Sequence, residues 1–424
     1  MNDAYYIVVL GAPTTRYWAS IARITSAIVI AWVVCPQAQQ APDSNTDTNS
    51  EIAAALRREA IAREWRDAKP TPVPLVASEP AWTVTLPAAP SAPGAFDDDR
   101  VYVPLQSNFL VALNRETGVL EWSRPIETAL PLIAADRTLY FVQDGRIHAV
   151  SAEDGAEQWS VAVEGEITAP LAWDDGWLFA IVAPGEAVAF RAADGHLIWR
   201  RPLGAASTHP AVPGGEAAVY FSLADSRLLA LAEATGEPLW QQQLTGALSV
   251  PAVARDRVFA GSTDNFLYAF DADSGRAEWK WRNGGDVIGA TADGDMVYFA
   301  SLDNIVRAVN RGNGNQRWKK PTGTRPTAPP VAFGGIVVLP GLMPAVTVFV
   351  GRTGEVMGTQ AAGGVLVGPP LVDSAPRPFR VSLVSITREG VVEAVRPAGL
   401  MFRETALLPI TALPGRPVAR ERLQ

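Results

Sequence analysis

Apolar and polar positions follow one another along this chain in short, regular blocks. From Arg257 to Tyr268 the apolar pairs Val258-Phe259 and Leu267-Tyr268 flank a polar patch, Ser262-Thr263-Asp264-Asn265. A second polar stop, Asp271-Ala272-Asp273-Ser274-Gly275, follows before Trp279. Short apolar runs closed by such stops predict strand, turn, strand, turn, strand. Asp271 and Ser274 are turn formers that bond nearby backbone, and Gly275 takes a positive φ without a steric penalty. The unit then recurs. Turn glycines stand at Gly118, Gly155, Gly195, Gly236, Gly275, Gly314, Gly354 and Gly399, at intervals of about 40 residues, the mark of a repeat architecture. Four residues after the first six stand Trp122, Trp159, Trp199, Trp240, Trp279 and Trp318. Six residues before them stand Ala112, Ala149, Ala189, Ala230, Ala269 and Ala308. Each unit opens on small or aliphatic residues near a proline, as in Pro131-Leu132-Ile133, Pro251-Ala252-Val253 and Pro370-Leu371-Val372. Small residues suit strands that crowd around a central channel.

Eight turn glycines and eight opening segments predict an all-β fold, an eight-bladed β-propeller of four-stranded antiparallel blades. An N-terminal signal segment and a short helix precede it. Seven blades is the alternative, because the last two units are degenerate. Gly358 takes the seventh tryptophan position, and Phe402 lies one residue off the expected eighth spacing. The run Trp82-Thr83-Val84-Thr85-Leu86 reads as a lone strand that joins a blade built mainly from the C-terminus, so the ring closes without free sheet edges. It competes for that place with the strand carrying Phe402. Trp279 is predicted to be buried between adjacent blades, over its neighbour's turn. The domain reading is residues 1–41 signal or anchor, 42–80 tether, helix and Pro-rich linker, 81–406 propeller, and 407–424 tail.

The Ala, Gly and Trp register resembles the docking motif AxDxxTGxxxW of the pyrroloquinoline-quinone-type (PQQ-like) β-propellers, over about Trp82 to Phe402. The enzymes of that family hold a quinone over the channel, with a tryptophan beneath it and a disulfide of adjacent cysteines above it. A calcium ion sits beside a catalytic aspartate. This chain departs from that pattern, because Cys35 is its only cysteine and its blades carry no long insertions. Asp303 and Glu389 are candidate acids, each with a plainer reading as a turn or surface residue. No catalytic, cofactor-binding or metal-binding residue is assigned, and no cofactor is expected. The chain is more similar to the family's non-enzymatic branch, the propeller lipoproteins of the outer-membrane β-barrel assembly machinery. That resemblance implies a cell-envelope scaffold that presents its loops and exposed strands to protein partners, among them the assembly machinery. A PQQ-dependent dehydrogenase-like enzyme and a ligand- or polysaccharide-binding propeller are the alternatives.

Composition narrows the field a little. With 48% hydrophobic and 19% charged residues in 424, the chain is globular rather than disordered. A net charge of −8 gives no support to nucleic-acid binding. His148, His196 and His209 fall in separate repeats, which argues against a metal cluster. No nucleophile elbow, phosphate loop or HExxH is present.

Two regions stand apart from the repeats. Ile21 to Val34 is largely apolar, with Arg16 and Arg23 towards its N-terminal side, and its unbroken core Ala27 to Val34 is too short to span a bilayer comfortably. It reads as an export signal, placing the protein in the periplasm. Cys35 directly follows and is a candidate for lipidation that would tether the chain to the outer membrane, although Val33 and Val34 stand where a lipobox carries a small residue. Cleavage near Ala38 or Ala41, and an uncleaved short anchor, are the other readings. Gln37 to Ser50 reads as a polar tether, Glu51 to Lys69 as a helix capped by Ser50, and Pro70, Pro72 and Pro74 as an extended linker. The second region is basic. Lys280, Arg282, Arg317, Lys319, Lys320 and Arg325 give two consecutive units a cationic outer edge and include three of the chain's four lysines. Lysine on an outer strand protects sheets from edge-to-edge pairing. The competing reading is a docking patch for an acidic partner or a lipid headgroup.

Overall fold

The computed structural model describes residues 78–397, apart from 208, 215–216, 255, 324, 334, 343–344, 362 and 374–382. The signal segment, Cys35, the tether, the helix expected over 51–69, Gly399 and Phe402 all lie outside the described residues. Every described element is a strand, and the strands form eight four-stranded antiparallel sheets. The protein is a propeller of eight blades.

Blades 1 to 7 are each one continuous unit. Blade 5 shows the plan: Ala252–Ala254 innermost, then Arg257–Gly261, Phe266–Asp271 and, outermost, Ala277–Arg282. Innermost strands are mostly two or three residues long, as crowding at the channel requires, and outer strands run from five to eight. The turn before the outer strand is built as its residues dictate. Gly275 has φ 67°, its N–H donates to the Asp271 carbonyl, and the Ser274 N–H and hydroxyl both donate to Asp271 Oδ1. A one-residue bulge follows in every outer strand. It turns the next residue, usually tryptophan, towards the neighbouring blade.

Blade 8 closes the ring. Its order is Ser78–Thr85, Val391–Pro397, Leu383–Ile386, Leu371–Val372, so the first described strand is the outer strand of a blade whose other three come from the chain's far end. The competition for that place is decided in favour of the Trp82 strand. Ser78 pairs with Pro397. The hydrophobic core is a ring of seams between blades, not a single centre. One cluster joins Leu86, Val384 and Val392 of blade 8 to Val101 and Val111 of blade 1. Another joins Ile336 and Val338 of blade 7 to Val372 and Leu383 of blade 8.

Candidate functional site

The tryptophans hold the seams. Each indole N–H donates to the carbonyl three residues before its neighbour's turn glycine: Trp122 to Ala152, Trp159 to Ala192, Trp199 to Glu233, Trp240 to Ala272, Trp279 to Arg311 and Trp318 to Gly351. Trp82 does the same to Arg115 at 2.8 Å, so it is a seventh docking tryptophan that the spacing of the other six does not mark. The ring lies on the glycine. A Cβ on Gly275 would stand 2.5 Å from Trp240 Cδ2, and one on Gly314 2.9 Å from Trp279 Cδ2. Gly118, Gly155, Gly195 and Gly236 are closed by the rings of Trp82, Trp122, Trp159 and Trp199 in the same way. Trp279 itself is half-buried rather than buried as expected, whereas Trp122, Trp199 and Trp318 at the same place in their blades are buried. The repeated alanine sits opposite the tryptophan in the adjacent strand, as Ala269 does Trp279 and Ala394 does Trp82. A small residue there leaves room for the indole.

Blade 7 inverts this pairing, with Val348 opposite Gly358. The seam between blades 7 and 8 is correspondingly aliphatic. In blade 8 the strand Val391–Pro397 pairs with an outer strand, Ser78–Thr85, that comes from the other end of the described chain. Branched aliphatics, among them Ile336, Val338, Val346 and Val348 of blade 7 and Val372 of blade 8, fill this seam.

A second set of docking groups escapes the repeat pattern. Tyr140 and Tyr220, on the second strands of their blades, donate their hydroxyls to the Ala192 and Ala272 carbonyls that the tryptophans also use, while Tyr102 lies 3.2 Å from the Ala152 carbonyl and donates to Asp97 at 2.6 Å. Burial pushes all three hydroxyls up from their usual range. Where that strand carries Phe179, Phe259 or Val384 instead, the residue over the turn is long and charged. Arg311 reaches Asp256 at 2.6 Å, and Arg115, 2% exposed, reaches Asp373 and stacks over Phe96. Glu233 breaks this series. It faces the acids Asp174 and Asp175, Oε1 is buried without a partner among the described residues, and burial, with those two charges, pushes its carboxyl up to about 7.

The residues considered for catalysis do not converge. Asp303 lies in a turn of blade 6, bonded to Arg307 and Ser301. Burial opposes its ionisation, but these hydrogen bonds prevail and hold its carboxyl below the usual range. Glu389 is an exposed turn residue of blade 8. His148 pairs with Glu157 at 2.9 Å, and no group of three His, Cys, Asp or Glu among the described residues is arranged to hold a metal. The docking indoles spend their N–H groups on backbone at the seams. The donor set therefore does not fit a quinone with its calcium.

The six basic residues lie on or just past the outer strands of two neighbouring blades. Lys280 and Arg282 lie on the outer strand Ala277–Arg282 of blade 5, Arg317, Lys319 and Lys320 on the outer strand Gln316–Pro321 of blade 6, and Arg325 just beyond it. All but Lys320 are exposed, and Lys280 Nζ sits 4.9 Å above the Phe266 ring.

A ring of eight four-stranded blades locked by tryptophans on glycine turns is a PQQ-like β-propeller. A family model described as outer membrane protein assembly factor BamB matches residues 143–249 and 224–392, more than half of the chain. The chain belongs to that family. It is 27% identical over 229 residues to the outer membrane protein assembly factor BamB of Burkholderia pseudomallei, covering 48% of this chain and 57% of that one. The chain thus spans about half the length of the curated relatives it matches. A more distant match is the tetrathionate hydrolase of Acidithiobacillus ferrooxidans, 26% identical over 41% of this chain and 45% of that protein. Among solved structures, BamB of Moraxella catarrhalis superposes with a TM-score of 0.63 at 18% identity, over 76% of this chain and 100% of that one. The quinohemoprotein alcohol dehydrogenase ADHIIG of Pseudomonas putida HK5 gives 0.58 at 14% identity, over 84% and 79%. At these identities the two structures speak for the fold.

Proposed function

We propose that this protein is a non-enzymatic scaffold of the cell envelope that takes part in outer-membrane protein assembly by presenting its propeller surface to protein partners of the assembly machinery. The observation that carries this reading is the family match, which runs through blades 3 to 7 without a break and lies on a ring whose tryptophans, tyrosines and glycines are spent on holding blades together. What is left for function is a rigid rim of outer strands and short loops, suited to binding rather than chemistry. Export through the segment before Cys35, and attachment through Cys35, belong to the same reading. The likeness to a hydrolase and a dehydrogenase of the same fold keeps an enzymatic reading as the alternative, and the donor set speaks against it.

Expression of the full chain in a cell deprived of its own outer membrane protein assembly factor BamB tests the proposal. Restored levels of folded outer-membrane proteins, with co-purification of an assembly-machinery subunit, are expected. No restoration, together with quinone-dependent dye reduction by the purified protein, would reverse it.

A further inference from the structure

Each outer strand is the free edge of its blade. It pairs with the third strand on one side, and among the described residues nothing pairs with it on the other. Such an edge offers a row of main-chain donors and acceptors to any extended chain, and charges or prolines on it discourage that pairing. Seven of the eight outer strands carry at least one: Lys280 and Arg282 on blade 5, for example, Pro238 on blade 4 and Glu157 on blade 2. The outer strand of blade 7, Val356–Ala361, has neither a charge nor a proline. The sequence stays uncharged from there to Val372.

The same strand lacks the docking tryptophan. Gly358 stands in its place, exposed, and a Cβ built on it would meet no described atom within 4 Å. Val356, 59% exposed, and the exposed Thr359 flank it, while Met357 packs against the aliphatic seam. A strand glycine leaves a bare stretch of backbone, and an aromatic ring directly across from it on a neighbouring strand covers that stretch. On the inner side Val348 lies across from Gly358 and brings no ring. The outer side is open among the described residues.

These features select the occupant. A second copy of the chain would bring the same Val-Met-Gly-Thr-Gln-Ala edge, which has no aromatic residue to set opposite Gly358. A charged segment would find no countercharge within this strand. An extended, neutral strand with a ring at one position satisfies both the open main-chain row and the bare glycine.

We propose that the outer strand of blade 7 is a strand-addition site for an extended, uncharged segment of a partner polypeptide that sets an aromatic residue opposite Gly358. The segment becomes a fifth strand of the blade. Its main chain bonds to Val356–Ala361, which supplies affinity, and its neutrality and its ring supply selectivity. This rests on the reading of the ring as a protein-binding scaffold and assigns the binding to one edge out of eight.

The test uses the purified full chain and a labelled seven-residue peptide of alternating threonine and valine with tyrosine at its centre. Two control peptides replace the tyrosine with alanine or with proline. Fluorescence anisotropy reads the binding, and amide hydrogen exchange reads its place. The tyrosine peptide is expected to bind with little dependence on salt, since no ion pair forms. Exchange should slow within 356–361 and in no other outer strand. The alanine peptide should bind about two- to fivefold more weakly, the scale of an aromatic cross-strand contact. The proline peptide should not bind, because proline removes a ladder donor. Val356→Lys with Thr359→Lys puts charge on two exposed positions, so it leaves the thermal midpoint in place and abolishes binding. Gly358→Thr covers the glycine and should erase the difference between the tyrosine and alanine peptides. No binding of the tyrosine peptide, equal binding of the alanine peptide, unchanged binding in the lysine variant, or exchange slowed across several outer strands overturns the site. A wild-type dimer that the lysine variant dissolves assigns the edge to a second copy and also overturns it. Binding that strengthens in Phe402→Ala assigns the edge to the chain's own C-terminal segment, with the same consequence. None of these readouts depends on the rescue experiment, so the edge can fail while the scaffold reading stands, and the reverse.

Discussion

Replacing Trp82 with alanine attacks the one seam that joins the two ends of the described chain. The ring is half-buried, lies on the Gly118 turn and donates to the Arg115 carbonyl at 2.8 Å. Burying an aromatic removes about 150–250 Å² from water, and roughly half to two-thirds of that for this indole, at 25 cal/mol/Å², is about 2.5–3 kcal/mol. The lost hydrogen bond adds about 1 kcal/mol. The sum, about 3.5 kcal/mol, lies within the range found for Trp→Ala in packed sites. With an unfolding entropy of about 2.1 cal/mol/K per residue over roughly 320 residues, the midpoint falls by about 5 °C. Gly118→Ala probes the same contact from below. It places a side chain at φ 70° and a Cβ 2.6 Å from Trp82 Cε3. The backbone term costs about 1–2 kcal/mol by itself and the overlap a further 1–3 kcal/mol. In the double variant the overlap disappears, so the two changes must couple by about 1–3 kcal/mol, whereas Trp82→Ala and Trp279→Ala, at distant seams, should add. Scanning calorimetry and urea melts of the four proteins measure this cycle. A midpoint unchanged in Trp82→Ala, or strict additivity with Gly118→Ala, would show that the indole does not lock the ring.

Glu233 should make the ring less stable as pH rises. Its folded carboxyl titrates at about 7 against 4.5 unfolded, so the stability it contributes is complete below 4.5 and is lost as pH climbs through 7. Glu233→Gln is therefore expected to raise the midpoint at pH 8 more than at pH 5, and equal shifts at both would contradict the seam electrostatics. Glu233→Arg, which restores the arginine-over-acid arrangement of Arg115 and Arg311, should stabilise the ring further at pH 8. Cys35→Ser should move the protein from the membrane to the soluble periplasmic fraction. Retention on membranes would assign the attachment to the apolar segment or to a protein partner.

Much of the ring could be read from the sequence because each repeat carries its own local instructions. Gly275 needs no distant partner to form its turn, and alternation around Val258-Phe259 and Leu267-Tyr268 suffices for strands. Trp82 was harder to place as a docking residue. It has no turn glycine of its own four residues earlier, and its partners Ala394 and Val384 lie at the opposite end of the chain. The tyrosine contacts with the Ala152, Ala192 and Ala272 carbonyls bridge about 50 residues each, beyond any local pattern. The basic edge was visible as lysines and arginines on two tryptophan strands. The burial of Asn283 was not, because an asparagine gives no sign in sequence that it is buried.

The sequence by itself determined the blade: where the chain turns, which residue the turn glycine admits, and which large ring follows it. These are short-range consequences of backbone sterics and alternation, so they repeat wherever the residues repeat. The tertiary structure decided how the ring closes. It gave the eighth blade's outer place to Ser78–Thr85, a strand from the other end of the described chain. It also decided which charges meet, setting Arg311 on Asp256 but Glu233 beside Asp174. Those contacts join residues of different blades, and only closing the circle brings them within reach.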